Sequence, residues 1–201
     1  MGSRPEAVNP ADEILRALPG PGQQARLAAL VALGTPGLER LLAVISERAP
    51  LYVNSPYDFR DIESALQLAL LTFARADLPS TLNAVARCGA TEAAPVVWAL
   101  GQMDDPRLVP LLAAAAKDKD AGVRWAAVYG LARQSDPRAS DLLIAALGDR
   151  AAKVRNAAAE RLGELGDPRA IGPLEALAER SPRDGPRVKA LIAKIRKTSG
   201  Q

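Results

Sequence analysis

Asp105–Arg169 reads DPRLVPLLAAAAKDKDAGVRWAAVYGLARQSDPRASDLLIAALGDRAAKVRNAAAERLGELGDPR. The tripeptide Asp-Pro-Arg occurs in it three times, at Asp105-Pro106-Arg107, Asp136-Pro137-Arg138 and Asp167-Pro168-Arg169, each copy 31 residues beyond the last. A second marker keeps the same interval, Val123-Arg124 and Val154-Arg155. Two markers in step over such a distance signal a stacked repeat, whose units cannot bury their apolar faces singly. Each unit reads as a helix pair. Asp suits an N-cap and Pro an early helical position. Leu108, Leu111 and Leu112 face inward in one copy, and Leu142, Leu143 and Leu147 in the next. A short polar turn follows, Asp118-Lys119-Asp120 or Gly148-Asp149-Arg150. The second helix then carries the stripe Val154, Ala158, Leu162 and Leu165, matched upstream by Val123, Ala127 and Leu131. In the third copy Val188 lies 34 residues after Val154, so the turn is expected to lengthen by three. Ile192 and Ile195 continue that stripe.

Upstream the pattern loosens. Helices are expected over 10–18, 23–33, 35–48, from Asp58 or Asp61 to Ala76, over 79–87 and over 93–103. Gly34 suits a helix C-terminus, Thr35 an N-cap, and Ile62, Leu66, Leu70 and Phe73 a buried stripe. Gln24–Leu42 reads as a degenerate copy of the later unit. Residues 49–58, with Pro50, Pro56, Tyr52 and Tyr57, form an aromatic loop that interrupts the series.

The unit DPRxxxxLLxAL, a turn Asp, then VRxxAAxxLGxLGDPR resembles HEAT repeats, specifically the bacterial HEAT-like type also found in phycobilisome lyases. Gly148–Arg169 carries the resemblance most closely and Asp105–Gln134 well. The third copy has Lys189 in place of the marker Arg, and Glu92-Ala93 replaces Val-Arg upstream. The resemblance implies an all-α fold, a right-handed α-α superhelix of about five to six helix pairs. It further implies one solenoid over residues 1–201, with degenerate repeats in 1–90 and regular ones in 91–198, and a concave face lined by the second helices. In such repeats the turn Asp and the marker Arg form a ladder between neighbours; the matching positions are Asp118 and Asp149 with Arg124 and Arg155.

Composition narrows the chemistry. Of 201 residues 48% are hydrophobic but only 3% aromatic, so the core must be built from Ala, Leu and Val. There is no histidine and one cysteine, which removes imidazole acid–base work, histidine or thiolate metal sites and an internal disulfide. No metal and no cofactor are expected. The iron site of the deoxyhypusine hydroxylase branch of HEAT proteins needs histidines and is argued out. A single cysteine fits a reducing, cytoplasmic setting, and Cys88 reads as a small buried residue. No apolar run approaches a membrane span, Met1–Pro10 lacks the pattern of a secretory signal, and Gly20 and Gly22 belong to no phosphate loop. The formal charge of +3 is too small to argue for nucleic acid by itself. Arg180, Arg183, Arg187, Lys189, Lys194, Arg196 and Lys197 gather late and read as a solvated face.

In repeat register, Trp98, Tyr129 and Glu160 share one column; Ala94, Trp125 and Asn156 share the column one helical turn earlier. Neither column coincides with the apolar stripe. Trp98, Trp125 and Tyr129 are therefore expected on the concave face, with Asn156 and Glu160 beside them and Arg124 and Arg155 adding cation–π or anion contacts. Tyr52, Tyr57 and Phe59 form a second candidate cluster. The leading function is a non-catalytic scaffold that holds a protein or peptide partner on this face. One alternative is a lyase- or chaperone-like protein for a small molecule or pigment. The other is nucleic-acid binding in the manner of HEAT-like DNA glycosylases, disfavoured by scattered acidic residues.

Overall fold

The structure, a computed structural model, describes residues 9–47, 59–89, 93–181 and 185–199. Every regular element among them is helical. The chain divides into two units, Met1–Ala99 and Leu100–Gln201.

The first unit holds α1 (Pro10–Ala17), α2 (Gln23–Ala32), α3 (Thr35–Glu47), α4 (Phe59–Ala76), α5 (Leu78–Arg87) and most of α6 (Ala94–Leu100). Asn9 caps α1 by accepting from the Ala11 amide at 3.0 Å. Gly34 reverses the chain between α2 and α3 with φ +62°, a conformation that costs a side-chain-bearing residue steric strain. Its carbonyl already accepts from the Leu38 amide. Thr35 is consequently the first helical residue and not the expected cap. Asp77 starts α5, accepting from the Ser80 amide at 3.1 Å and its hydroxyl at 2.6 Å. Leu15, Leu30, Leu41, Leu42 and Leu70 are fully buried, and the expected stripe Ile62, Leu66, Leu70 and Phe73 faces this core. Cys88, expected to be buried, is exposed at the end of α5. The loop residues Tyr52 and Tyr57 lie outside the described residues.

The second unit is the repeat array: a 3-10 turn Pro106–Leu108 leading into α7 (Val109–Ala115), then α8 (Ala121–Leu131), α9 (Pro137–Ala146) and α10 (Ala152–Leu165). A second 3-10 turn, Pro168–Ala170, leads into α11 (Ile171–Arg180) and then α12 (Gly185–Ser199). Each first helix packs on its own second helix, and α8 lies on α10 and α10 on α12. Val123, Ala127, Leu131, Val154, Ala158, Leu162, Val188, Ile192 and Ile195 are buried between them, as the spacing requires. Leu165 departs from its stripe: it ends α10, immediately before Gly166 turns the chain with φ +69°, and is 48% exposed. α12 approaches α10 closely at Gly163: a Cβ there would sit 2.6 Å from Leu191 Cδ2, so the Leu191 side chain would have to shift.

The Asp-Pro-Arg tripeptides are self-closing helix starts. Asp105, Asp136 and Asp167 each accept from the amide two residues on, as N-caps. The arginine then folds back on the same carboxylate, with Nη2 to Oδ2 at 2.7, 2.7 and 2.8 Å. These guanidinium bonds hold all three carboxyls below the ordinary aspartate range. The third copy takes its extra residues differently from expectation. Its first-helix segment runs from Pro168 to Arg180, whereas the preceding one runs from Pro137 to Ala146, so about one more helical turn is added before the inter-helix turn.

Two sets of bonds tie one repeat to the next. At one edge Gln134, 7% exposed, accepts from the Asp105 amide and donates to the Met103 carbonyl at 2.7 Å, while Asp104 accepts from the Ser135 amide at 2.9 Å. At the other edge Arg124 Nε and Nη2 donate to both oxygens of Asp149, at 2.7 and 2.9 Å. The two side chains are 5% and 10% exposed. Burial alone would raise the Asp149 carboxyl, but the Arg124 guanidinium and the Ala151 amide outweigh it and hold the carboxyl below its usual value. A group depressed in this way stabilises the fold fully above the unfolded-state value of about 3.9 and loses that contribution as pH falls through the lower folded value. Asp149→Asn removes the counter-charge of a buried guanidinium and is expected to cost about 3–5 kcal/mol in urea unfolding at pH 7. It also flattens the acid limb of the stability profile below about pH 4. A loss under about 1 kcal/mol would show the pair to be an ordinary surface bridge.

Candidate functional site

The second helices α8 and α10 carry the members of the two columns that lie in the second unit, Trp125 and Tyr129 on α8 and Asn156 and Glu160 on α10. Trp125 and Tyr129 are one helical turn apart on α8 and both half-buried. Their ring centroids are 4.4 Å apart at 46°, a tilted pair. On α10, Asn156 and Glu160 are half-buried as well, so this face keeps solvent access at all four positions. Glu160 pairs with Arg187 of α12. The face is thus an aromatic pair bordered by polar and ion-paired groups, on helices whose other sides are locked in the core.

Arg161, which the sequence reading did not single out, completes it. Its guanidinium carbon stands 4.2 Å over the centre of the Tyr129 ring. Nη1 is anchored 2.6 Å from Glu164 one turn on. Nε is buried and, among the described residues, has no hydrogen-bond partner, which fits a guanidinium laid flat on a ring. Only the spacing Arg161–Glu164 was readable in advance; the stacking depends on how α10 is rotated against α8.

The remaining candidates separate. Arg124 is 4% exposed and committed to Asp149, so it belongs to the inter-repeat ladder and presents no surface to a ligand. Arg155 is half-buried and donates Nη1 to its own turn, to the carbonyls of Asp149 at 2.8 Å and Arg150 at 3.2 Å. Trp98 is half-buried on α6 and belongs to the first unit. Phe59 begins α4. Of the late basic residues, Arg187 and Arg196 are paired, the latter with Glu175 at 2.8 Å. A shallow groove between α11 and α12 is lined by Glu175, Glu179, Lys189, Ile192, Arg196 and Lys197, charges of both signs. Among the described residues no cluster of Asp, Glu or Cys could hold a metal ion, and no single helix is long and apolar enough to cross a membrane.

The Arg161–Tyr129 contact is expected to contribute about 0.5–1 kcal/mol at this partial exposure. Arg161→Met should lower stability by that amount in urea unfolding and change the near-UV circular dichroism of the Trp125–Tyr129 pair. An unchanged spectrum would mean that the guanidinium does not hold the rings.

No curated protein sequence matches this chain. One similar solved structure is the crystal structure of an engineered protein, which aligns over 94% of this chain and 95% of its own at 14% identity, with a TM-score of 0.41. That superposition is too loose to support any argument. The family comparison is more specific. HEAT repeats match at residues 91–160 and again at 123–193, overlapping windows that together span just over half of the sequence. They enclose the three Asp-Pro-Arg starts, the Arg124–Asp149 rung and the Trp125–Tyr129 pair. By its helix pairs, its inter-repeat bonds and this match, the chain belongs to the HEAT-repeat family.

Proposed function

We propose that this chain is a non-catalytic scaffold of a reducing cytoplasm, which holds a protein or peptide partner on the face lined by its second helices, the concave side of a HEAT stack. The observation that carries this reading is the half-exposed Trp125–Tyr129 pair under Arg161. In a chain with 3% aromatic residues, two rings kept partly in solvent, one of them covered by a guanidinium, and bordered by Asn156 and Glu160, have the character of an interface hot spot. Arg155 extends the proposed surface, and Trp98, in the matching repeat column of the first unit, is proposed as a partner contact in its own right. Tyr52, Tyr57 and Phe59 supply a second patch in the same proposal.

The chemistry on this face favours binding over turnover. Glu160, the carboxylate a glycosylase-like site would use, is ion-paired with Arg187. A pigment or small molecule of the phycobilisome-lyase kind would use the same rings as a shelf, and its presence would give the purified protein an absorbance of its own.

Peptides selected on the intact protein from a displayed library test the reading. Trp125→Ala, Tyr129→Ala and Trp98→Ala, each checked for unchanged helical content, should weaken the selected peptides about tenfold or more, the range of truncated aromatic hot spots. Undiminished affinity in all three variants contradicts the proposed surface. Retention on single-stranded DNA at low salt that falls steeply with added salt would instead favour the nucleic-acid reading.

A further inference from the structure

Arg124 and Arg155 occupy the same place in successive repeats, and one edge of each guanidinium is held in the same way. Arg124 Nη1 donates to the carbonyls of Asp118 at 2.8 Å and Lys119 at 3.0 Å. Arg155 Nη1 donates to the corresponding carbonyls of Asp149 at 2.8 Å and Arg150 at 3.2 Å. These bonds orient each guanidinium against its own turn. The other edge differs. Nε and Nη2 of Arg124 grip the carboxylate of Asp149, supplied by the next repeat. Among the described residues no carboxylate meets Nε or Nη2 of Arg155.

The sequence gives a reason for the difference. The residue 31 beyond Asp149 is Arg180, and the residue 34 beyond it, the spacing of the valine markers, is Arg183. Neither residue is an acid. Arg180 donates Nη2 to the Leu147 carbonyl at 2.7 Å. From Gly148 to Arg155 the single acid is Asp149, already neutralised by Arg124, whereas Arg150, Lys153 and Arg155 are basic. The segment that carries this rung is therefore net basic.

We infer that Arg155 is an open rung that takes a carboxylate from the bound partner, an Asp or Glu side chain of an acidic peptide segment. The partner supplies the group that the following repeat supplies to Arg124. This deepens the scaffold reading by naming the charge its partner carries, and it rests on that reading. The site is chemically selective because a guanidinium fork matches a carboxylate with two parallel N–H···O bonds. It is also pre-organised: the backbone bonds of Nη1 hold the fork before the partner arrives, which reduces the rotamer entropy lost on binding.

The probe is a short rhodamine-labelled peptide of alternating Glu and Ala, read by fluorescence anisotropy on the full chain, with its Gln counterpart as control. The Glu peptide is expected to bind, and the Gln peptide to bind at least about tenfold more weakly, as for loss of a charged hydrogen-bond pair. Arg155→Lys, which keeps the charge but removes the fork, is expected to lose a similar factor with its helical content unchanged. Asp184→Asn is expected to leave the affinity unaltered. Equal binding of the two peptides, or full affinity in Arg155→Lys, overturns the inference. A gain in affinity in Asp184→Asn also overturns it, since the chain would then be filling the rung itself. Loss in Arg155→Lys with none in the Trp125 and Tyr129 variants supports the open rung while removing the aromatic surface. The reverse pattern removes the open rung and leaves the scaffold reading standing.

Discussion

The ion pair between Arg124 and Asp149 sets the distance and register at which one helix pair meets the next. Its guanidinium spans three backbone and side-chain partners at once: two carbonyls of its own turn and the carboxylate of the following turn. A buried charge left without its partner costs several kcal/mol, so slippage between the repeats is opposed far more strongly than apolar contacts alone could manage. Leucine and alanine stripes tolerate small sliding, because dispersion and hydrophobic burial have little direction. The bidentate pair has direction. On the opposite edge Gln134 and Asp104 hold the neighbouring turns in the same manner, so the stack is fixed at both ends of its helices.

That fixity is what allows α8 and α10 to keep an incompletely buried aromatic face. Val123, Ala127 and Leu131 anchor one side of α8 in the core, which leaves Trp125 and Tyr129 on the other. An exposed ring pair on a loosely held helix would collapse inward. Here Arg161 covers part of Tyr129 without burying it, and Glu164 tethers the guanidinium. The result is a partly polar surface whose side chains are held by their neighbours.

Much of this architecture was legible in the sequence because it depends on short-range chemistry. An N-cap needs only its own side chain and the next amides, so Asp105, Asp136 and Asp167 could be read directly as helix starts. The apolar stripe follows from helical spacing alone. The Arg124–Asp149 rung came from the family resemblance, not from spacing. Features that depend on how elements are rotated or where length is absorbed were not readable. Spacing showed three extra residues before Val188, but not that they would extend the α11 segment. Nothing in the order of residues placed Arg161 over Tyr129, because that contact crosses from α10 to α8. Residue type points Cys88 to the core and periodicity points Leu165 there, yet each sits at a helix end, where the chain turns away from its neighbours.

Two equivalent arginines differ: Arg124 is closed onto Asp149, whereas Arg155, among the described residues, bonds only the carbonyls of its own turn. Hydrogen exchange at the two Nε–H groups, followed by nitrogen-detected NMR on the unliganded protein at neutral pH, measures that contrast directly. The Arg124 Nε–H, buried and bonded to Asp149, should exchange slowly with solvent, and the Arg155 Nε–H should exchange far faster. Equal protection at the two sites would contradict the account.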